Sequence, residues 1–183
     1  AEGISGQPRV ALTEEGDRVF VSGPKNTVQR RFKLQLIDED LDFIKGFDVC
    51  HVSCYSSMES ELAKLSEVID ISYDFSNHLE MEHIEKVAPF IDYAFFSAAD
   101  LSEAELNWFI EKLKSFDFKA AALTRGSEPA LFISGGKVYA QKLKKIPVVD
   151  TMGAGDSLIG GFLLGLWWVD RQSRRRHGGI RIY

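Results

Sequence analysis

Tyr93-Ala94-Phe95-Phe96-Ser97 and Ala120-Ala121-Ala122-Leu123-Thr124 are two apolar runs of strand length, and the segment between them reads as a helix. Ser102 and Glu105 have the spacing of a reciprocal cap, in which each side chain satisfies an orphan backbone amide. Behind them Leu106, Phe109, Ile110 and Leu113 recur at helical period and mark one apolar face. Strands apolar along their whole length, joined by such a helix, belong in a parallel sheet covered on both sides.

The alternation continues outward. Upstream, residues 71–75 and 48–53 read as strands, and residues 81–90, 59–69 and 37–44 as helices. Downstream, residues 131–134 and 137–140 flank Gly135-Gly136, a hairpin signal. Val148-Val149 then leads into a glycine-rich turn and an apolar helix over 158–166. At the amino end, Val10, Leu12 and Val19-Phe20-Val21 flank Glu14-Glu15-Gly16-Asp17, a second hairpin, and residues 27–36 are expected to add a strand. The expected fold is α/β: a mainly parallel sheet with helices on both faces, plus a small β unit. Its divisions are a partial β lid over 1–36, an α/β core over 37–170 and a basic tail over 171–183 without helical period.

An apolar share of 45% and a charged share of 27% are those of an ordinary soluble globular protein, which points to the cytoplasm. No leader-like segment opens the sequence, and its longest apolar run is too short to span a bilayer. The last thirteen residues carry five arginines and no acid; without those five charges the net −5 becomes −10 over residues 1–170. An acidic body of this kind gives no reason to expect nucleic-acid binding. Cys50 and Cys54 flank His51 and invite a metal reading. Four residues along a strand span roughly 13 Å, too far for two ligands of one ion, so both thiols are expected in the core.

Asp150-Thr151-Met152-Gly153-Ala154-Gly155-Asp156-Ser157 lies between a strand and a helix. Glycine at 153 and 155 lets the backbone adopt positive φ and approach an anion, with the following helix presenting its positive end. The sequence matches neither a P-loop nor a dinucleotide fingerprint. Asp156 has two readings on residue chemistry alone, and both stay open. It caps the helix, as Asp does well. Or it takes a proton from an attacking hydroxyl while backbone amides neutralise a transferring phosphoryl group.

Asp150–Asp156 followed by Gly160-Gly161-Phe162 resembles the signature of the ribokinase, or PfkB, family of sugar kinases. The likeness runs through about residues 10–165, and Phe90–Ala98 is most similar to the fructoselysine 6-kinases. The resemblance implies ATP-dependent phosphorylation of a primary hydroxyl on a ketose or fructosamine, with Asp156 as general base. It also implies that the amides of Gly153, Ala154 and Gly155 form the anion hole and that Thr151 lies at the nucleotide. Leu123-Thr124-Arg125-Gly126-Ser127 resembles the second nucleotide segment, which assigns Thr124 and Gly126 to ATP, although Pro129 replaces the usual last glycine. Asp74-Phe75-Ser76-Asn77 is similar to an Asp-x-Asn turn, and Ser97–Asp100 stands where the family has Asn-x-x-Glu, which assigns Asp100 to Mg²⁺. Pairing of two copies through the lid strands is a further implication. The family's sugar-contacting Asp and Gly-Gly-x-x-x-Asn stretch have no counterpart here, so a relic that binds nucleotide without turnover is the alternative. The basic tail shows no family likeness, which suggests a shifted reading frame or an artificial end.

Overall fold

The computed structural model describes residues 2–12, 18–22, 27–144 and 151–177. Among the described residues the strands form two sheets. Strands β1 (Arg9–Leu12) and β2 (Arg18–Ser22) form an antiparallel pair. The main sheet holds β3 (Cys50–Ser53), β4 (Ile71–Ser76), β5 (Tyr93–Ser97), β6 (Ala120–Arg125), β7 (Glu128–Ser134) and β8 (Lys137–Gln141) in that spatial order. From β3 to β6 the pairing is parallel, and the β6–β7–β8 edge is antiparallel.

Helices α2 (Asp38–Ile44), α3 (Leu62–Ser66), α4 (Met81–Val87) and α5 (Glu103–Leu113) occupy the connections. A 3₁₀ turn over Ala88–Phe90 continues α4, where Pro89 carries no amide to donate. The cap of α5 has both expected bonds: the Ser102 amide donates to Glu105 Oε2 at 2.9 Å, and the Glu105 amide to Ser102 Oγ at 3.4 Å.

Side chains alternate across the sheet. Tyr73, Phe75, Ala94, Phe96, Ala121 and Leu123 pack with Leu62, Leu65, Ile84, Leu106, Phe109 and Leu113 in the main core. On the other face Phe95 and Ala122 meet Ile159, with Tyr93, Phe132 and Phe162 around them. The last helix, α6 (Ala154–His177), therefore covers the face that α3–α5 do not. Lys119 pairs with Asp70 and with Asp92, the latter at 3.0 Å, and Asp92 also takes the Ile71 amide at 2.8 Å. That knot ties together the beginnings of β4, β5 and β6.

Three expectations need correction. Residues 27–36 add no strand: Thr27 makes one isolated bridge with Ile4, and Val28–Arg31 form a single helical turn, α1. A segment without a sheet edge to pair against has nothing to hold it extended. The helix expected over 59–69 has only Leu62–Ser66 in α-helical form. Conversely, α6 runs on to His177, where no helical period was expected. Neither Gly nor Pro interrupts residues 167–177, and Arg and Gln are good helix formers. The expected strand at Val148-Val149 lies outside the described residues.

Cys50 and Cys54 are free, half-buried and packed against the main core. Burial, with the Asp74 charge adding to it, pushes the Cys54 thiol up to about 12. Iodoacetamide at about pH 8 should therefore label Cys54 far more slowly in the folded protein than in denaturant. Phe75 is fully buried and stacks on Phe96 at 4.6 Å. Phe75→Ala should cost about 3–5 kcal/mol, read as a lowered urea midpoint with little change in slope.

Candidate active site

In an open parallel sheet the backbone groups beyond the carboxyl ends of the strands are free to meet a ligand. Here Ser53, Asp74, Ser97 and Thr124 come to that end together: Ser53 pairs in register with Asp74, and Ser97 with Thr124. The Asp74 carboxylate accepts the Ser76 amide at 2.8 Å, and this turn holds Ser76 at φ +53°. A left-handed non-glycine residue costs about 1–2 kcal/mol, so the turn is locally over-determined. Just past it, Asn77, Leu79 and Glu80 join Ser97 and Asp100 around a cleft of ≈ 330 Å³.

The segment expected at the nucleotide, Thr124 to Gly126, borders the same region. Thr124 Oγ1 donates to the Phe96 carbonyl at 3.3 Å, and the Thr124 carbonyl accepts the Ala98 amide at 2.8 Å. Gly126 has φ +60° in the β6–β7 turn, and a Cβ there would stand 3.9 Å from that of Ala99. Asp100, Thr124 and Gly126 thus share one rim.

The glycine-rich turn leads into α6 on the face of the sheet that carries His51 and Asp74. Gly153 has φ +74°, as its position requires, and its carbonyl accepts the Ser157 amide at 2.9 Å to begin α6. Gly155 differs from expectation: it lies within the first helical turn and needs no positive φ. The Ala154 amide is already engaged by the Thr151 carbonyl at 3.1 Å. That leaves Gly155 and Asp156 as first-turn amides with no intrahelical acceptor. Thr151 is exposed beside them, and Asp150 lies outside the described residues.

Asp156 is the third residue of α6, so Gly153, not Asp156, occupies the cap position. Its side chain is exposed and, among the described residues, accepts no hydrogen bond. It acts electrostatically on His51 and Asp74, which rise from the β3–β4 surface on the same face of the sheet as α6. Burial raises the Asp74 carboxyl, the Ser76 amide and His51 hold it down, and the Asp156 charge pushes it up again. Burial lowers the His51 imidazole against the pull of both carboxylates, and its Nδ1 lies 3.0 Å from Ser72 Oγ.

His51 and Glu80 were not among the site residues expected from sequence. A signal for His51 existed: His51 and Ser53, like Ser72 and Asp74, are polar at alternate positions of otherwise apolar strands. Glu80 gave none, because its place depends on the turn at Ser76. Glu80 and Asp100 are two carboxylates on one cleft with the oxygens of Asn77 and Ser97, a hard-donor set that fits Mg²⁺. Among the described residues no group of three His, Cys, Asp or Glu side chains could hold a metal ion, and no helix is long and apolar enough to cross a membrane. A cation in the cleft would keep water and phosphate oxygens in its shell, as Mg²⁺ usually does.

Comparison with known proteins shows the family and the fold. The model of the pfkB family carbohydrate kinases matches residues 5–168. Fructosamine kinase FrlD of Bacillus subtilis is 39% identical over 163 residues, covering 89% of this chain and 57% of that protein. Fructoselysine 6-kinase of Escherichia coli is 27% identical over 164 residues, covering 89% and 61%. Among solved structures, ribokinase from Giardia lamblia superposes with a TM-score of 0.74 at 13% identity, covering 94% of this chain and 58% of that one. Arabidopsis thaliana ribokinase complexed with ribose and ATP gives 0.66 at 16%, covering 88% and 56%. The chain thus spans 57–61% of the length of these two curated relatives and has the ribokinase-like α/β fold. By the match over residues 5–168, it belongs to the pfkB family of carbohydrate kinases.

Proposed function

We propose that this chain carries the phosphoryl-transfer half of an ATP-dependent kinase acting on a primary hydroxyl of a ketose or fructosamine, with Asp156 as general base. The observation that supports this most is the state of the Asp156 carboxylate. It is exposed, unbonded among the described residues, and stands beside first-turn amides within electrostatic reach of His51 and Asp74. A helix cap would have its oxygens engaged by backbone N–H groups. A base needs the opposite: free lone pairs directed at the place an alcohol will occupy. The similarity to a fructosamine kinase and a fructoselysine 6-kinase supports the acceptor class.

On this reading the amides of Gly155 and Asp156 and the positive end of α6 meet the charge that develops on the transferred group. Thr151 and Gly153 shape that turn, and Thr124 with Gly126 borders the nucleotide. Asp100 and Glu80 would hold Mg²⁺, which supplies charge neutralisation at the phosphates when bound. Asp74 and His51 set the field around the base.

Release of ADP with ATP, Mg²⁺ and either fructoselysine, fructose or ribose tests the reading. Asp156→Asn should lower kcat by about 10²–10⁴ while nucleotide binding persists. Turnover that survives this substitution would remove Asp156 from its role, and nucleotide binding without turnover of any acceptor by the unaltered chain would establish the relic. Gly153→Ala forces a Cβ into the left-handed region, where its contact is Asp156 Oδ2 at 3.8 Å. The strain should lower kcat/KM for ATP about tenfold, measured by the same assay.

A further inference from the structure

Glu61 is the single carboxylate that is buried among the described residues, with 5% of its surface exposed, and the proposed chemistry makes no use of it. Its Oε2 accepts the Leu36 amide at 2.9 Å and the Lys64 ammonium at 2.8 Å. Lys64 in turn donates to the Leu36 carbonyl at 3.1 Å, and Ser60 Oγ reaches Glu61 Oε1 at 3.4 Å. Both polar groups of the Leu36 backbone are therefore gripped by one ion pair, while the Leu36 side chain enters the main core.

Leu36 is the point where the amino-terminal unit joins that core. The unit is held together within itself: β1 pairs with β2, and the Val28 amide donates to the Ile4 carbonyl at 3.0 Å. Glu61 stands at the end of the β3–α3 connection, beyond the carboxyl end of β3, so the joint lies at the functional end of the sheet. It is also on the β3 side. Thr124 and Gly126 follow β6, three strand spacings or roughly 14 Å away, with Asp156 on the intervening β3–β4 side.

We propose that Glu61, with Lys64, is a positioning residue that fixes the root of the β1–β2 unit at the β3 end of the sheet, on the acceptor side of the site. This rests on the kinase reading above for the word acceptor, but not for the joint itself. The hairpin brings no packed face of its own to the main core clusters among the described residues.

Two measurements on Glu61→Ala and Glu61→Gln in the full chain decide the matter. In hydrogen exchange, Glu61→Ala should raise exchange across residues 32–37 about tenfold and leave β4–β6 protected, as expected for one lost bond to a charged group. In steady-state assays with ATP and fructoselysine, it should raise the acceptor KM about tenfold, with kcat and the ATP KM within about twofold. Gln keeps an oxygen for the Leu36 amide and should restore both readouts. Unchanged exchange at 32–37 overturns the clamp. Equal losses in both KM values and kcat, or Gln failing as Ala does, overturn the positioning role. If the unaltered protein turns over no acceptor, the kinase reading fails and takes the acceptor role with it, while exchange still decides the joint.

Discussion

A slip of one residue between β4 and β5 would turn Asp74 toward α4 and α5 and bring Phe75 out beneath α6. Side chains along a strand alternate with period two, so parallel register decides which of them meet chemistry and which meet the core. Here the register is fixed twice. Tyr73, Phe75 and Phe96 fill the main core from one face, and the Lys119 pairs with Asp70 and Asp92 lock the opposite strand ends. Ser53, Asp74, Ser97 and Thr124 reach a common rim only because both constraints agree. Every distance in the site inherits that agreement.

The rim is built mainly from backbone turns, and its charges are few. Asp74 spends one oxygen on the Ser76 amide, which bends the chain so that Asn77, Leu79 and Glu80 face Ser97 and Asp100. Gly153 bends the chain ahead of α6, so that the helix starts with its first-turn amides beside Asp156. Negative side chains therefore stand beside amides that favour negative ligands. Such a pairing is costly for a site that only holds an anion, and useful for one that moves a proton as an anion is handed across.

The framework was largely legible from sequence because its signals are local. Apolar runs of five residues, the Ser102–Glu105 cap and the Gly135-Gly136 turn each specify their element without help from distant residues. The stretch over 27–36 misled because loose alternation is a strand signal only where an edge is available to pair with. The extension of α6 was missed because a polar segment shows no apolar stripe, although nothing in it breaks a helix. The left-handed turn at Gly153 was readable from the motif. The engaged Ala154 amide and the helical Gly155 were not, since which glycine bends depends on where the first helical bond forms. The Glu61–Leu36 contact joins residues 25 apart and leaves no trace in either segment.

The two apolar clusters are unequal. The larger unites α3, α4 and α5 with the sheet, while α6 rests on a small patch where Phe162 stacks on Phe132 at 5.6 Å and meets Phe95 edge-on. Free energy holding an element in place scales with the apolar area it covers. Among α3–α6, the last is therefore the helix held by the smaller apolar cluster, and its undocking would carry Asp156 away while the sheet and its larger core stay whole. On heating, the turn that bears Asp156 should come free before the strands that bear Asp74 and Thr124.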